Sequence, residues 1–317
     1  MRVLCGMIAV GITVSGCDKK DAPAASGALS AAETELLQRL PAGNQIVFGG
    51  SYAKLQDFMQ RTALGRMSRD AAEEVGGKTM VAWMQCISNI QSLRFAGGLR
   101  FGDAGAELRM ITAGAGVDDF RQCATKAGLT AAVDPDGKFL RVEVPAQGES
   151  LAQGFLAIGE RELYQRGAIR PGAGMSAASA PRAELEADIA GTRQSNATGD
   201  ASTLIAKVDR SKTAWFAGVA TPIAKGLGEI YGSLDVGNGV ALDVIVQFAD
   251  RQLQTQIEDN LDQVKKHADE APNKAMKQLV DNISARRVGD RTRFTLKVTD
   301  EQLDALMQMS GGMFGGM

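Results

Sequence analysis

Histidine occurs once in these 317 residues, at His267, and aromatic residues make up only 5%. One histidine leaves His-based zinc clusters and Ser-His-Asp or Cys-His catalytic arrangements little to draw on. His267 lies in Lys265-Lys-His-Ala-Asp-Glu270, a stretch that reads as the solvated end of a helix. Two Trp and three Tyr supply few stacking platforms for bases or sugars. The charges nearly cancel: 35 Lys and Arg stand against 37 Asp and Glu, a net charge of −2. That balance argues against nucleic acid, whose phosphates demand a basic surface. It offers no polybasic support for anionic lipid either. The longest N-terminal apolar run, residues 3–14, falls well short of the roughly 20 residues needed to cross a bilayer. Cysteine is scarce, with four residues and no C-x-x-C spacing, so no zinc or redox motif is legible.

What is present at the N-terminus is an export signal in three parts: Arg2, the apolar run, and the small-residue sequence Val14-Ser15-Gly16-Cys17. That tetrapeptide resembles the lipobox of bacterial prolipoproteins. The resemblance implies cleavage before Cys17 and lipidation of its thiol with acyl chains of the palmitate kind. Two or more such chains anchor a protein stably, at about 0.8 kcal/mol per buried methylene. It further implies a place in the bacterial cell envelope, lipid-anchored and facing the periplasm or the exterior, with inner and outer membrane both left open. It implies nothing about activity.

With Cys5 in the leader and Cys17 carrying lipid, Cys86 and Cys123 remain. An even pair in an exported chain is a disulfide candidate, and the alternative is two small buried hydrophobes. Cys123 follows Val117 and Phe120 at helical spacing, which points it inward under either reading.

The expected organisation is a leader at 1–16, a lipidated cysteine and flexible tether at 17–32, and a first domain at 33–170. A linker follows at 171–202, then a second domain at 203–310 and a disordered tail at 311–317. Inside the linker, Arg182 to Arg193 can form a short helix. In the first domain, strands are expected at Gln45–Phe48, Ser92–Phe101, Glu107–Ala113, Phe139–Val144 and Phe155–Ile158. Helices are expected at Lys54–Leu64 and after Gly116, where Asp118 and Asp119 suit the first turn. In the second, strands are expected at Thr213–Val219, Ile230–Val236, Val240–Phe248 and Arg293–Val298. Gly237-Asn-Gly239 is a strong hairpin signal. A helix from Arg251 aligns Leu253, Ile257, Leu261, Val264 and Ala268, and Pro272 separates it from a second piece. A last helix is expected from Asp300 to Met309. Both halves thus read β-α-β-β-α-β, an α+β class of two pseudo-repeated units with helices on one face of each sheet. The layout is similar to that of exported lipoproteins built from two copies of such a unit.

Chemistry is hard to find. The visible carboxylate clusters are Asp118-Asp119, Glu258-Asp259 and Asp134/Asp136, each where solvated charges are usual. Asp134-Pro-Asp-Gly137 resembles a calcium loop in outline but lacks the alternating ligands and terminal Glu. Ala96-Gly97-Gly98 inside a strand marks a bulge or close packing sooner than a phosphate cradle. No catalytic residue, cofactor or metal is expected. The leading expectation is a non-enzymatic module that contacts envelope proteins or the cell wall. The alternative is a carrier of a small apolar, lipid-like ligand, since thirteen methionines could line an adaptable cavity. These two divide on whether Leu93, Phe95, Leu99 and Leu242, Val244, Val246 close on their helices or leave a void.

Overall fold

A computed structural model describes residues 36–305, except 91–92, 103–104, 147–148, 170–179, 193–200, 222–223 and 271–273. The leader, Cys17, the tether, the tail, the head of the linker and the expected Pro272 break lie outside the described residues.

One antiparallel sheet of twelve strands runs through both halves, in the order β11-β12-β10-β9-β8-β1-β2-β3-β7-β6-β5-β4. The first half supplies β1 (Ile46–Ser51), β2 (Arg94–Gly102), β3 (Gly105–Ala113), β4 (Thr130–Val133), β5 (Phe139–Ala146), β6 (Glu149–Gly159) and β7 (Glu162–Ile169). The second supplies β8 (Ala214–Val219), β9 (Leu227–Asp235), β10 (Val240–Phe248), β11 (Ser284–Val288) and β12 (Arg291–Val298). The seam is the β1–β8 ladder, with Ile46 opposite Gly218 and Gly50 opposite Ala214. Helices among the described residues include α1 (Tyr52–Arg61), α2 (Ala63–Ser88), α3 (Val117–Lys126), α4 (Arg182–Thr192), α5 (Ser202–Ile205), α6 (Arg251–Glu270) and α7 (Lys274–Asp281). Residues 300–305 of the expected last helix are helical too, and the rest of it lies outside the described residues. Helix and antiparallel sheet together make this an α+β fold.

Two expectations need correction. The segments 33–170 and 203–310 share one sheet and one central core cluster, in place of a sheet each. Val47, Ala96, Ile111 and Tyr164 pack with Trp215, Ala217 and Tyr231, and Leu185 of α4 completes the cluster. The helix inside the expected linker is therefore part of the core. Helices also cover both faces of the sheet, not one. Strand residues alternate between faces, and the central strands are apolar at consecutive positions, as in Ile46-Val47-Phe48 and Trp215-Phe216-Ala217. Both faces must then be covered. On the first face lie the turn at 36–40, α4 and α5. The second carries two clusters, one under α2 and α3 and one under α1, α6 and α7.

Local rules account for the elements. Gly116 donates its N–H to the Asp119 carboxylate at 2.9 Å, which starts α3. Thr62 separates α1 from α2: its Oγ1 donates to the Phe58 carbonyl at 2.8 Å and accepts from Gly65 N at 3.1 Å. Arg61 ties α1 to the second half through the carbonyls of Val236 and Gly237 and the Asp300 carboxylate. Strand β2 keeps an unbroken register through Ala96-Gly97-Gly98, so there is no bulge. A Cβ on Gly97 would collide with the ring of Phe48, which lies across it. Close packing is the reason for the glycine.

Along α6 the expected stripe holds at Leu253, Ile257, Leu261 and Ala268 and departs at Val264. Val264 is 50% exposed, whereas Gln254 is 1% exposed. The Gln254 amide donates to Thr292 Oγ1 at 2.9 Å and accepts from Arg287 at 2.8 Å. A buried amide with both ends satisfied costs little.

Candidate functional site

The carboxylates singled out in the sequence are scattered and occupied. Arg182 of α4 enters the Asp134–Gly137 turn, with Nη1 2.7 Å from Asp134, Nη2 2.5 Å from Asp136 and Nε 2.8 Å from Glu186. A guanidinium thus sits where the calcium-like outline would have placed a metal. The hydrogen bond from Arg182 is the main reason the Asp136 carboxyl is held down at about 2 against an ordinary 3.8. Its contribution to folding is complete above pH 3.8 and is lost as pH falls through about 2. In Arg182→Ala, Asp136 is expected to titrate close to an ordinary aspartate, and a carboxyl-detected NMR titration reads this directly.

Asp118 pairs with Arg121 at 2.8 Å, and Asp119 caps α3. Glu258 accepts from Thr292 Oγ1 at 2.7 Å and lies 3.5 Å from Arg287, while Asp259 faces solvent. Among the described residues no three His, Cys, Asp or Glu side chains converge as metal ligands would. His267 is exposed, its Nδ1 2.8 Å from the Gln263 carbonyl. A cluster that sequence reading missed sits under α4. Arg166 meets Asp188 at 2.9 Å, Glu107 at 3.8 Å and also Glu184, and the Tyr164 hydroxyl donates to Asp188 at 3.0 Å. Burial, then the Asp188 charge, pushes the Tyr164 phenol up. These contacts hold α4 on the first face. The cluster spans 81 residues of sequence, from Glu107 to Asp188, and no local signal links its members.

Cys86, in the last turns of α2, is bridged to Cys123 of α3, with Cα atoms 5.4 Å apart. Beside the bridge is an open groove of about 520 Å³. Its walls are Ala82, Gln85, Cys86, Asn89 and Ile90 from the α2 side, and Asp119, Gln122, Cys123 and Lys126 from α3. Each set recurs every three or four residues, which puts it on one face of its helix. This part of α2 is anchored by Trp83, whose ring meets Phe155 edge-on at 6.0 Å. Helix α2 was not foreseen between residues 65 and 88, because Gly76-Gly77 interrupts its pattern. Gly77 adopts φ +69°, a conformation that favours glycine, and breaks the helix there. The signal that could have revealed the groove is the spacing of Gln85, Cys86 and Asn89 against Gln122, Cys123 and Lys126.

The hairpin strands answer the apolar-carrier question unevenly. Leu93 is closed into the core under α2 and α3, and Leu242 packs under α1, α6 and α7. Between them a row crosses the second face: Met110, Phe48, Phe216, Val244 and Phe294 lie in register and are only half-buried. Tyr52 closes one end, its ring edge-on to Phe95 at 5.0 Å and its hydroxyl 3.8 Å from Met110 Sδ. Burial pushes the Tyr52 phenol up to about 12 from 10. The unfolded chain ionises first, so this contribution is complete below pH 10 and is lost as pH rises through about 12. A spectrophotometric titration is expected to show one tyrosine ionising near 12 that is missing in Tyr52→Phe.

No known family and no curated protein sequence matches this chain. Among solved structures, crystal form I of TP0453 aligns with a TM-score of 0.47 at 11% identity, over 86% of this chain and 96% of that one. Crystal form III of TP0453 aligns with a TM-score of 0.45 at 12% identity, over 86% and 97% of the two chains. Among the described residues no helix is long and apolar enough to cross a membrane.

Proposed function

We propose that this protein is a membrane-tethered, non-enzymatic module of a bacterial cell envelope, held by acyl chains on Cys17 and contacting envelope proteins or the cell wall through the α2–α3 groove. The groove carries this reading. Gln85, Asn89 and Gln122 line it with amides that both donate and accept, beside the Lys126 ammonium and the Asp119 carboxylate. Such a lining suits a peptide or a polar polymer better than an apolar molecule. The most conspicuous carboxylate clusters, by contrast, are largely engaged in ion pairs and caps. The internal repeat belongs to the same proposal. In each half a three-strand meander leads into helix and then to a strand returning beside the third, β7 beside β3 and β12 beside β10.

The test is photocrosslinking in cells from a benzophenone residue at the exposed Gln122 of the full chain. Discrete crosslinks to an envelope protein or to cell-wall polymer support the proposal; a folded, membrane-bound protein with no crosslinked species refutes it. Loss of the membrane-bound fraction and of the lipid mass in Cys17→Ala tests the anchor separately. The half-buried row from Met110 to Phe294 favours a second reading, a carrier of a lipid-like ligand. A retained lipid mass in native mass spectra of protein purified without detergent would put that reading first.

A further inference from the structure

We propose that the Cys86–Cys123 bridge is a reducible site: a dithiol reductant reaches it through the α2–α3 groove, and its opening loosens residues 78–88. A disulfide sealed in a core meets thiolates only when the protein unfolds, whereas one in an open groove can be attacked in the folded state. Both cysteines line the groove, and Cys86 is half-buried while Cys123 is 5% exposed. Cys86 Sγ is therefore the sulfur that an incoming thiolate meets. Exchange also depends on how well the departing thiolate is stabilised. Lys126, one turn beyond Cys123 on α3 and in the same groove, supplies a cation there. Asp119, one turn before, has its carboxylate taken up by the N–H of Gly116.

A thiolate of the reductant bonds to Cys86 Sγ and the Cys86–Cys123 bond breaks, leaving Cys123 as a thiolate that takes a proton from solvent. The second thiolate of the reductant then displaces Cys86, which is protonated in turn. Two electrons pass to the protein as its disulfide becomes two thiols, and the dithiol becomes a disulfide. The consequence is set by the break at Gly77, which makes 78–88 a segment of its own. The bridge is the covalent tie between that segment and α3.

The experiment uses the folded full chain and dithiothreitol, with reduction followed by rapid alkylation and mass spectrometry. It does not depend on the location proposed above. The rate is expected to rise in proportion to dithiothreitol concentration. Gln122→Trp, which fills the groove, should slow native reduction about tenfold and leave reduction in denaturant unchanged; Lys126→Gln should slow it about threefold. A rate independent of reductant concentration means that unfolding gates access and overturns the proposal, as do unchanged rates in both variants. Hydrogen exchange then reads the consequence: after reduction, and in Cys86→Ser/Cys123→Ser, amides of 78–88 should speed up by more than those of β1 to β3, which report only the global loss of stability. An equal rise in both regions, or none, would show a plain structural staple.

Discussion

Trp215→Ala lowers the unfolding free energy by about 3–5 kcal/mol, the range for removing a large buried aromatic. Trp215 is 2% exposed and sits on β8, the strand that joins the second half to the first. Its ring covers Gly49 on β1, so closely that a Cβ there would fall 2.7 Å from Cζ2. Removing the indole empties the space over the seam, inside the cluster that also holds Val47, Leu204 and Tyr231. The loss should appear in guanidinium denaturation as a lower midpoint for a single transition spanning both halves. Two separated transitions would mean that the halves fold independently, against the shared core. Trp215→Phe should cost less, since the buried indole N–H has no hydrogen-bond partner to lose.

Cys86→Ser with Cys123→Ser is expected to lower stability by a similar amount, about 4 kcal/mol. The bridge closes a loop with a sequence separation of 37, and the chain-entropy estimate for a loop of that size gives this figure. The effect works through the unfolded chain, which gains the freedom the bridge removed. The single variants test this: each leaves one unbridged thiol and should lose about as much as the pair. Denaturation with and without reductant gives the same comparison on the unmodified protein.

Much of the local structure was readable before any fold was known. The hairpin at Gly237-Asn-Gly239 follows from turn chemistry, and the start of α3 from Gly116 and Asp119. Helix α4 appears at Arg182–Thr192, within a residue of expectation. Strands β4, β7 and β11 went unseen because each lacks a strong alternating run. Strand β11 reads Ser-Ala-Arg-Arg-Val and is a strand because β12 pairs with it. Helix α2 went unseen because two glycines divide it, and tertiary packing around Trp83 holds its second piece.

For the site the division is similar. Charge balance and a single histidine are properties of composition, and with no ligand spacing along the chain they give metal and acid–base chemistry little to draw on. Where helices begin and where hairpins turn was legible in the chain, because these depend on neighbours a few residues away, and the cysteine count limited which thiols could meet. That both halves share one sheet, that Arg182 fills the Asp134–Gly137 turn and that two helix faces leave a groove beside the bridge emerges only from long-range packing. Those outcomes depend on pairings between distant residues, Ile46 with Gly218 and Arg182 with Asp136 among them. The apolar residues on both sides of β1 and β8 require cover on both faces, but which segments provide it is settled only when the whole chain packs.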